Sequence, residues 1–304
     1  MKYKARAPLR IDFGGGWSDI PIYAEKEAAG GAVLNAAIDV YATGYIIRPK
    51  AQASPAERLL GAAKNVVRYE LDAPAGAGLG ASAAQTILWL TLVKTVIANV
   101  SERRELAERA WRVENELGVL GGKQDQYASA VGGISFMAFG DRTEVESIRP
   151  GYPFTDEFER RLVLVYTGGK RLSGDIHERV WGGYQSGNQH VTQALHNIRR
   201  IAGEQRQALL DHDLDTFGAL MSENWSNQKK LHETVSNERF DRFVSLSLAS
   251  GAIGAKATGA GGGGCLLCLA RDGAEKDLTS ALAGAGARPI PFRFDWYGVH
   301  LTKG

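Results

Sequence analysis

Residues 74 to 84 read Pro-Ala-Gly-Ala-Gly-Leu-Gly-Ala-Ser-Ala-Ala and run straight into an apolar helical pattern that extends from Ser82 to about Asn99. A glycine-rich turn that opens a helix constrains the local fold and its chemistry together. Gly76, Gly78 and Gly80 let the backbone turn tightly and approach a ligand. The unpaired N–H groups of the first helical turn and the positive end of its dipole favour an anion. Leu79, Ala81 and Ala83 belong to the same stretch, and Ser82 adds a hydroxyl at the helix start.

Two familiar glycine patterns compete for this segment. A Walker loop needs Lys-Ser or Lys-Thr after its last glycine, where this chain has Ala81 and Ser82. Gly76, Gly78 and Ala81 do satisfy a dinucleotide pattern, but Pro74 sits where the preceding strand should end and the nearest acid, Glu102, falls in a helix start. A dinucleotide turn and a glycine turn without ligand remain open on this segment alone. Two further glycine-rich stretches, Pro8 to Asp19 and Lys256 to Cys265, also lie beside polar side chains suited to phosphoryl transfer. The three together imply a small-molecule kinase.

Composition narrows the partners. With 36 Lys and Arg against 34 Asp and Glu, the 304-residue chain has a formal net charge of +2 and no surplus for a broad nucleic-acid face. Its length suits two domains with a sizeable core. The start, Met1 to Arg6, has no apolar run for a signal peptide, so a cytoplasmic location is expected. The apolar stretch Ile87 to Val100 is too short for a bilayer and carries Lys94. Cys265 and Cys268, three apart in an apolar strand pattern, point to opposite faces as core residues. No His-Glu-x-x-His pattern or second cysteine pair suggests zinc, so any metal should be oxygen-bound.

Periodicity predicts an α+β chain. Strands are expected at Tyr3 to Ala5, Leu34 to Val40 and Tyr45 to Ile47, then helices at Ser82 to Asn99 and from an N-cap at Ser101 to Leu117, closed by Gly118. Strand character returns over residues 134 to 148. Pro150, Gly151 and Pro153 mark a boundary, which divides the chain into domains 1–150 and 151–304. The second half is expected to run as strand 162–166, helices near 188–211, 214–234 and 238–249, strand 265–270 and a strand-like tail 289–294. Asp125, bounded by Gly121 and Gly122, reads as a turn-capping residue. Glu114, on the edge of the Leu106, Ala110, Val113, Leu117 stripe, reads by itself as a solvated flank.

The stretches Ala7-Pro8-Leu9-Arg10-Ile11-Asp12-Phe13-Gly14-Gly15-Gly16-Trp17-Ser18-Asp19, Gly76 to Ala84 and Lys256-Ala257-Thr258-Gly259-Ala260-Gly261-Gly262-Gly263-Gly264-Cys265 resemble, in order, the three motifs of the GHMP kinases. The resemblance spans nearly the whole chain. The Gly-Gly-Gly-Trp-Ser-Asp run, Gly122 to Tyr127 and the four-glycine third motif are most similar to bacterial heptose 7-phosphate kinases, which act on the anomeric hydroxyl. It implies an N-terminal domain like ribosomal protein S5 domain 2, a ferredoxin-like C-terminal domain and an active site between them, with ATP and Mg2+ as cofactors.

By the same resemblance, Asp125, 11 residues after Glu114, is the catalytic base and Arg10 the catalytic cation. Ser82 and Glu114 are the metal ligands, and residues 76, 78 and 79–83 bind ATP. A substrate set of Asp12, Gly15, Gly16 and Asp19 joins Gly261 and Gly262. Galactokinases carry a Glu-His pair where this chain has Gly16 and Trp17, which counts against galactose, and Ala81 stands where many relatives have serine. Lys170 and Arg171, after Thr167-Gly168-Gly169, are expected to hold a phosphate on the sugar, with Lys123, Lys229 and Lys230 as competitors and a solvated loop as the alternative. The implied activity is phosphorylation of a heptose 7-phosphate for nucleotide-activated heptose and surface polysaccharide. A 1-kinase for fucose or another free hexose, and a silent sugar-binding relative, are the alternatives.

Overall fold

The computed structural model describes residues 3–47, 66–94, 99–169 and 173–303. Its first half contains β1 (Tyr3–Gly14), α1 (Pro21–Ala24), β2 (Gly31–Ile47), β3 (Val66–Leu71), α2 (Ala81–Lys94), α3 (Val100–Glu116), α4 (Gln124–Val131), β4 (Ile134–Phe139) and β5 (Thr143–Ile148). There follow α5 (Phe154–Arg161), β6 (Leu162–Tyr166), α6 (Ser173–Gln185), α7 (Gln189–Leu210), α8 (Leu214–Lys229) and α9 (Glu238–Ala249). The chain closes with β7 (Ala252–Ala257), β8 (Cys265–Ala270), α10 (Glu275–Gly284), β9 (Arg288–Pro289) and β10 (His300–Lys303).

These strands form two antiparallel sheets. The first has the order β10-β1-β2-β4-β5 with β3 also on β2; the second has the order β7-β8-β6-β9. The two apolar runs expected as separate strands at 34–40 and 45–47 are one strand, β2. It is long enough to hold β4 along Gly31–Ala36 and β3 along Ala42–Ile47 on one edge while β1 lines the other. The register between β1 and β2 shifts at Pro8, a residue that cannot donate to a ladder. On β1, Leu9, Ile11 and Phe13 enter the core while Arg10 and Asp12 take the opposite face, as period-2 alternation requires.

Helices α2 and α4 lie across β1 and β2, and α3 packs on both helices. α7 crosses the first sheet and α8 packs on β7, so this helix pair joins the two sheets. β8 is buried on both faces: Cys265, Leu267 and Leu269 enter one core and Leu266, Cys268 and Ala270 the other, which is why it reads as an unbroken apolar run. The cysteines do point to opposite faces.

Local chemistry shifts several expected boundaries. α3 starts one residue before Ser101, because the Asn99 side chain accepts from Glu102 N–H while the Glu102 carboxylate accepts from Asn99 N–H, a reciprocal capping box. Leu117, placed on the apolar stripe, is exposed, whereas Glu114 is buried. Asp125 is no turn residue; it sits in the first turn of α4. The helix expected to reach residue 234 ends at Lys229, followed by a 3-10 turn at Glu233–Val235. Of the tail at 289–294, only Pro289 joins the second sheet as strand, together with Arg288 before it, and Phe294 makes a single bridge to Ile38.

Candidate active site

Arg10 is where the three glycine stretches meet. Its Nε donates to Asp125 Oδ1 at 2.7 Å, and its Nη1 donates to the carbonyls of Gly78 at 2.5 Å and Thr258 at 2.8 Å. Its own N–H donates to Leu79 O at 3.0 Å, Thr258 Oγ1 donates to Gly78 O at 3.1 Å, and Cys265 N–H to Ala77 O at 2.9 Å. One strand residue therefore ties the start of α2 and the third stretch to α4. Burial opposes the guanidinium charge, but Asp125, Asp12 and Asp19 more than offset it, so Arg10 is held above the ordinary arginine range.

Gly80 shows how close the parts stand. Its φ of +75° favours glycine, and a Cβ there would lie 3.2 Å from the Asp125 carboxylate and 3.3 Å from Arg10 Cγ. The carbonyl of Gly80 accepts from Ala84 N–H at 3.1 Å, which leaves the N–H groups of Ala81, Ser82 and Ala83 as the first turn of α2, without intrahelical acceptors. These groups and the exposed Ser82 hydroxyl open beside Asp125, and Gly76 and Gly78 form the turn before them.

Glu114 is 8% exposed, so its reading as a solvated flank is overturned. Its Oε1 accepts from Thr86 Oγ1 at 2.8 Å and its Oε2 from Gln126 Nε2 at 3.0 Å, and Thr86 Oγ1 lies 3.4 Å from Ser82 O. Burial pushes the carboxyl up to about 7, and the charge of Asp125 adds to this. A carboxylate so destabilised and lacking a cationic partner suits a divalent cation. Among the described residues no group of three or more His, Cys, Asp or Glu is placed to hold a metal. Mg2+ would take hard oxygens, and Glu114 and Ser82 offer a carboxylate and a hydroxyl of that kind.

The first stretch builds the opposite side. Asp19 is buried and its Oδ2 accepts from Gln124 N–H at 3.2 Å. Burial, with Asp125 and Asp12 nearby, raises it to about 7. Gly122 makes room for it, since a Cβ there would fall 1.8 Å from Asp19 Oδ2. Asp12 pairs with the fully buried Lys256, whose Nζ donates to Oδ2 at 3.0 Å and to the Asp12 carbonyl at 2.8 Å. Burial pulls the Lys256 ammonium below its usual range while Asp12 holds it up.

The turn itself is pinned from outside. Gly15 N–H donates to Asn224 Oδ1 at 3.1 Å, and Ser18 Oγ accepts from Ala32 N–H at 3.0 Å while its one proton can go to the carbonyl of Gly15 or Ala32, at 2.8 and 2.9 Å. Gly16 faces the Asp12 carboxylate and the Gln124 amide. In the third stretch, Gly262 N–H donates to Val235 O at 2.6 Å and its carbonyl accepts from Asn237 Nδ2 at 3.1 Å, while Gly261 lies against Val235. These backbone groups of Gly262 bind the protein's own chain.

Lys170 and Arg171 lie outside the described residues. The segment before them is tied to the third stretch, with Thr167 N–H donating to Gly264 O at 2.9 Å. The competing lysines are engaged: Lys123 with Glu108 at 3.1 Å, Lys229 with Asp241 at 3.3 Å and Lys230 with Asn227 Oδ1 at 3.3 Å. Side chains of the site to which sequence reasoning gave no role include Lys256, Thr86, Gln126, Asn224 and His177, the last stacked on Trp17. Lys256 alone carried a signal, as a charge in an apolar strand run beside the third motif.

The family model for the GHMP kinases N terminal domain matches residues 46–133, and that for GHMP kinases C terminal matches residues 205–287. The chain is 30% identical to a D-glycero-alpha-D-manno-heptose 7-phosphate kinase of Campylobacter jejuni subsp. jejuni serotype O:2, over 97% of each chain. It is also 30% identical to the bifunctional fucokinase/GDP-fucose pyrophosphorylase of Arabidopsis thaliana, over 90% of this chain and 30% of that protein. A crystal structure of a D-glycero-D-manno-heptose 1-phosphate kinase from Bacteriodes thetaiotaomicron superposes with a TM-score of 0.75 at 25% identity, over 99% of each chain. The convergence of three glycine stretches on Arg10, and relatives that align along its whole length, make this chain a member of the GHMP kinases, an ATP-dependent kinase of mixed α+β fold with N- and C-terminal domains.

Proposed function

We propose that this kinase transfers the γ-phosphoryl group of ATP to the anomeric hydroxyl of a sugar that already carries a phosphate, a heptose 7-phosphate. The observation that carries the reading is the Arg10–Asp125 pair at 2.7 Å, set directly against Gly80 at the start of α2. A carboxylate there accepts the proton of an incoming hydroxyl, and the Arg10 hydrogen bond holds it turned toward the start of α2. Phosphoryl transfer asks a protein mostly for positioning and charge stabilisation, which the α2 N–H groups and Arg10 supply to the nucleotide phosphates. Mg2+, held by Glu114 and Ser82, neutralises charge on those phosphates when bound.

The sugar would lie against Asp12, Gly15, Gly16 and Asp19, with the third stretch beside it at Gly261, since the Gly262 backbone is engaged with Val235 and Asn237. Two similar proteins named for heptose phosphates support a phosphorylated acceptor, and Lys170 and Arg171 are the cations proposed for its phosphate. The product would feed a nucleotidyl transfer that activates the heptose for surface polysaccharide. The domain break is proposed near residue 150, with β10 returning to the first sheet beside β1.

The Arabidopsis relative favours a second reading, a fucose 1-kinase. A coupled assay of ATP consumption over heptose 7-phosphate, the free heptose and fucose separates the two. Turnover restricted to the phosphorylated heptose is expected, whereas equal rates with and without the phosphate would overturn it.

A further inference from the structure

One side chain packed against the first glycine stretch has no place in the reaction described so far. His177, on α6, stacks on Trp17 with ring centroids 4.5 Å apart and planes 30° apart, and Trp17 also packs on Trp181 at 5.9 Å. The two tryptophans are buried, with exposures of 5% and 1%, whereas His177 is only partly buried. It is thus the member of the stack with surface left to meet a ligand, beside the first glycine stretch through Trp17.

Trp17 is held at a cost. Its φ of 87° lies in the left-handed region, where a side chain this large is strained. The Ser18 and Asn224 hydrogen bonds that pin the turn keep it there. That conformation sets the indole against the imidazole and so fixes the plane of His177.

Trp17 follows Gly16, which faces the Asp12 carboxylate, so the stack sets the ring beside the first stretch. Asp125 is the charged group that acts on His177, drawing its pKa up, but burial outweighs it and pushes the ring down to about 4. His177 is therefore uncharged at neutral pH. Its Nδ1 is enclosed without a partner, which leaves Nε2 as the nitrogen able to meet a ligand. An uncharged imidazole is a poor partner for a phosphate, but a sugar hydroxyl both donates and accepts and so pairs with either tautomer.

We propose that His177 is a specificity-determining residue that hydrogen-bonds a hydroxyl of the acceptor sugar through Nε2, with Trp17 as the platform that orients it. The inference rests on the sugar-kinase reading and extends it by naming the chemistry of one contact.

The test uses the full chain with heptose 7-phosphate, its monodeoxy analogues and, as a separate arm, fucose. His177→Phe keeps the stack and removes the nitrogen. It should raise KM for the sugar about tenfold, within the range for a buried polar group left unpaired, with KM for ATP unchanged. One deoxy analogue should lose about tenfold with the wild type and nothing further with His177→Phe. His177→Gln, which can still donate and accept, should fall between the two and serves if the phenylalanine variant does not fold. An unchanged sugar KM in a folded His177→Phe, or an equal loss over every deoxy analogue, would overturn the contact. If the wild type takes fucose and rejects heptose 7-phosphate, the phosphorylated-acceptor reading fails while the same comparison, run on fucose and its deoxy analogues, still decides the role of His177. If no sugar turns over, both fall.

Discussion

On the α2 side of Asp125 the groups facing the cleft are mostly backbone: the N–H groups of Ala81, Ser82 and Ala83 and the turn through Gly76, Gly78 and Gly80. The side of the first stretch is built instead from side chains of widely separated elements, most of them buried: Asp12 and Asp19, Lys256 from β7, Asn224 from α8 and His177 from α6. A helix start needs no specific side chain to bind an anion, so its chemistry is local and tolerant. The other side buries charges that must be matched one by one, so removing one partner leaves a desolvated ion. The α2 side should therefore answer substitution through kinetics and metal demand, and the other side through stability.

Asp125→Asn should give the largest effect, a fall in kcat of about a hundredfold or more, the low end for loss of a general base. Fold and ATP binding should persist, checked by thermal unfolding and nucleotide titration. A folded variant with near-wild-type kcat would remove the base from its role and with it the division between the two sides.

Lys256→Met should be the severest change to stability. It leaves Asp12 buried and unpaired, at a cost of about 3 to 5 kcal/mol in denaturant unfolding. The double change Lys256→Met with Asp12→Asn should recover much of the loss, because the stranded charge is gone. A loss confined to activity would show that this side is not built on charge matching.

Glu114→Gln sharpens the comparison through pH. The folded carboxyl titrates at about 7 against an ordinary value of 4.5, so the folded state holds the extra proton between those values. Stability falls as pH rises across that window, and the penalty is complete above about 7. Without magnesium, the variant should exceed the wild type in thermal midpoint at pH 8, by up to about 3 kcal/mol of stability, and the gap should close near pH 4.5. The same variant should require more Mg2+ for activity. Ser82→Ala should move Mg2+ demand in the same direction and least of all, since a hydroxyl is one weak ligand among several. Metal titrations that overlay the wild type for both variants would place the ligands elsewhere.

How legible the site was follows the same division. The glycines before α2 could be read because a turn chemistry and a helix start are written in adjacent residues, whereas Arg10 is named only through the family resemblance. Glu114 could not be read correctly by pattern alone: its place on the stripe edge suggested solvent, and only Gln126 from α4 and Thr86 from α2 enclose it. Asp125 read as a turn residue because nearby glycines suggest turns, whereas the packing of α4 across β1 and β2 extends a helix through it.

The sequence by itself determined the alternation of strands and helices, the two-faced burial of β8 and the glycine turn that opens α2, since each depends on period, turn residues or unpaired backbone within a few positions. The tertiary structure alone decided which charges meet: Lys256 with Asp12 across 244 residues, Arg10 with Asp125 across 115, and His177 with Trp17. Such pairs form only when sheet order and helix packing bring distant faces within a few ångströms. Coulomb and desolvation energies at that range are too steep in distance for any sequence pattern to specify.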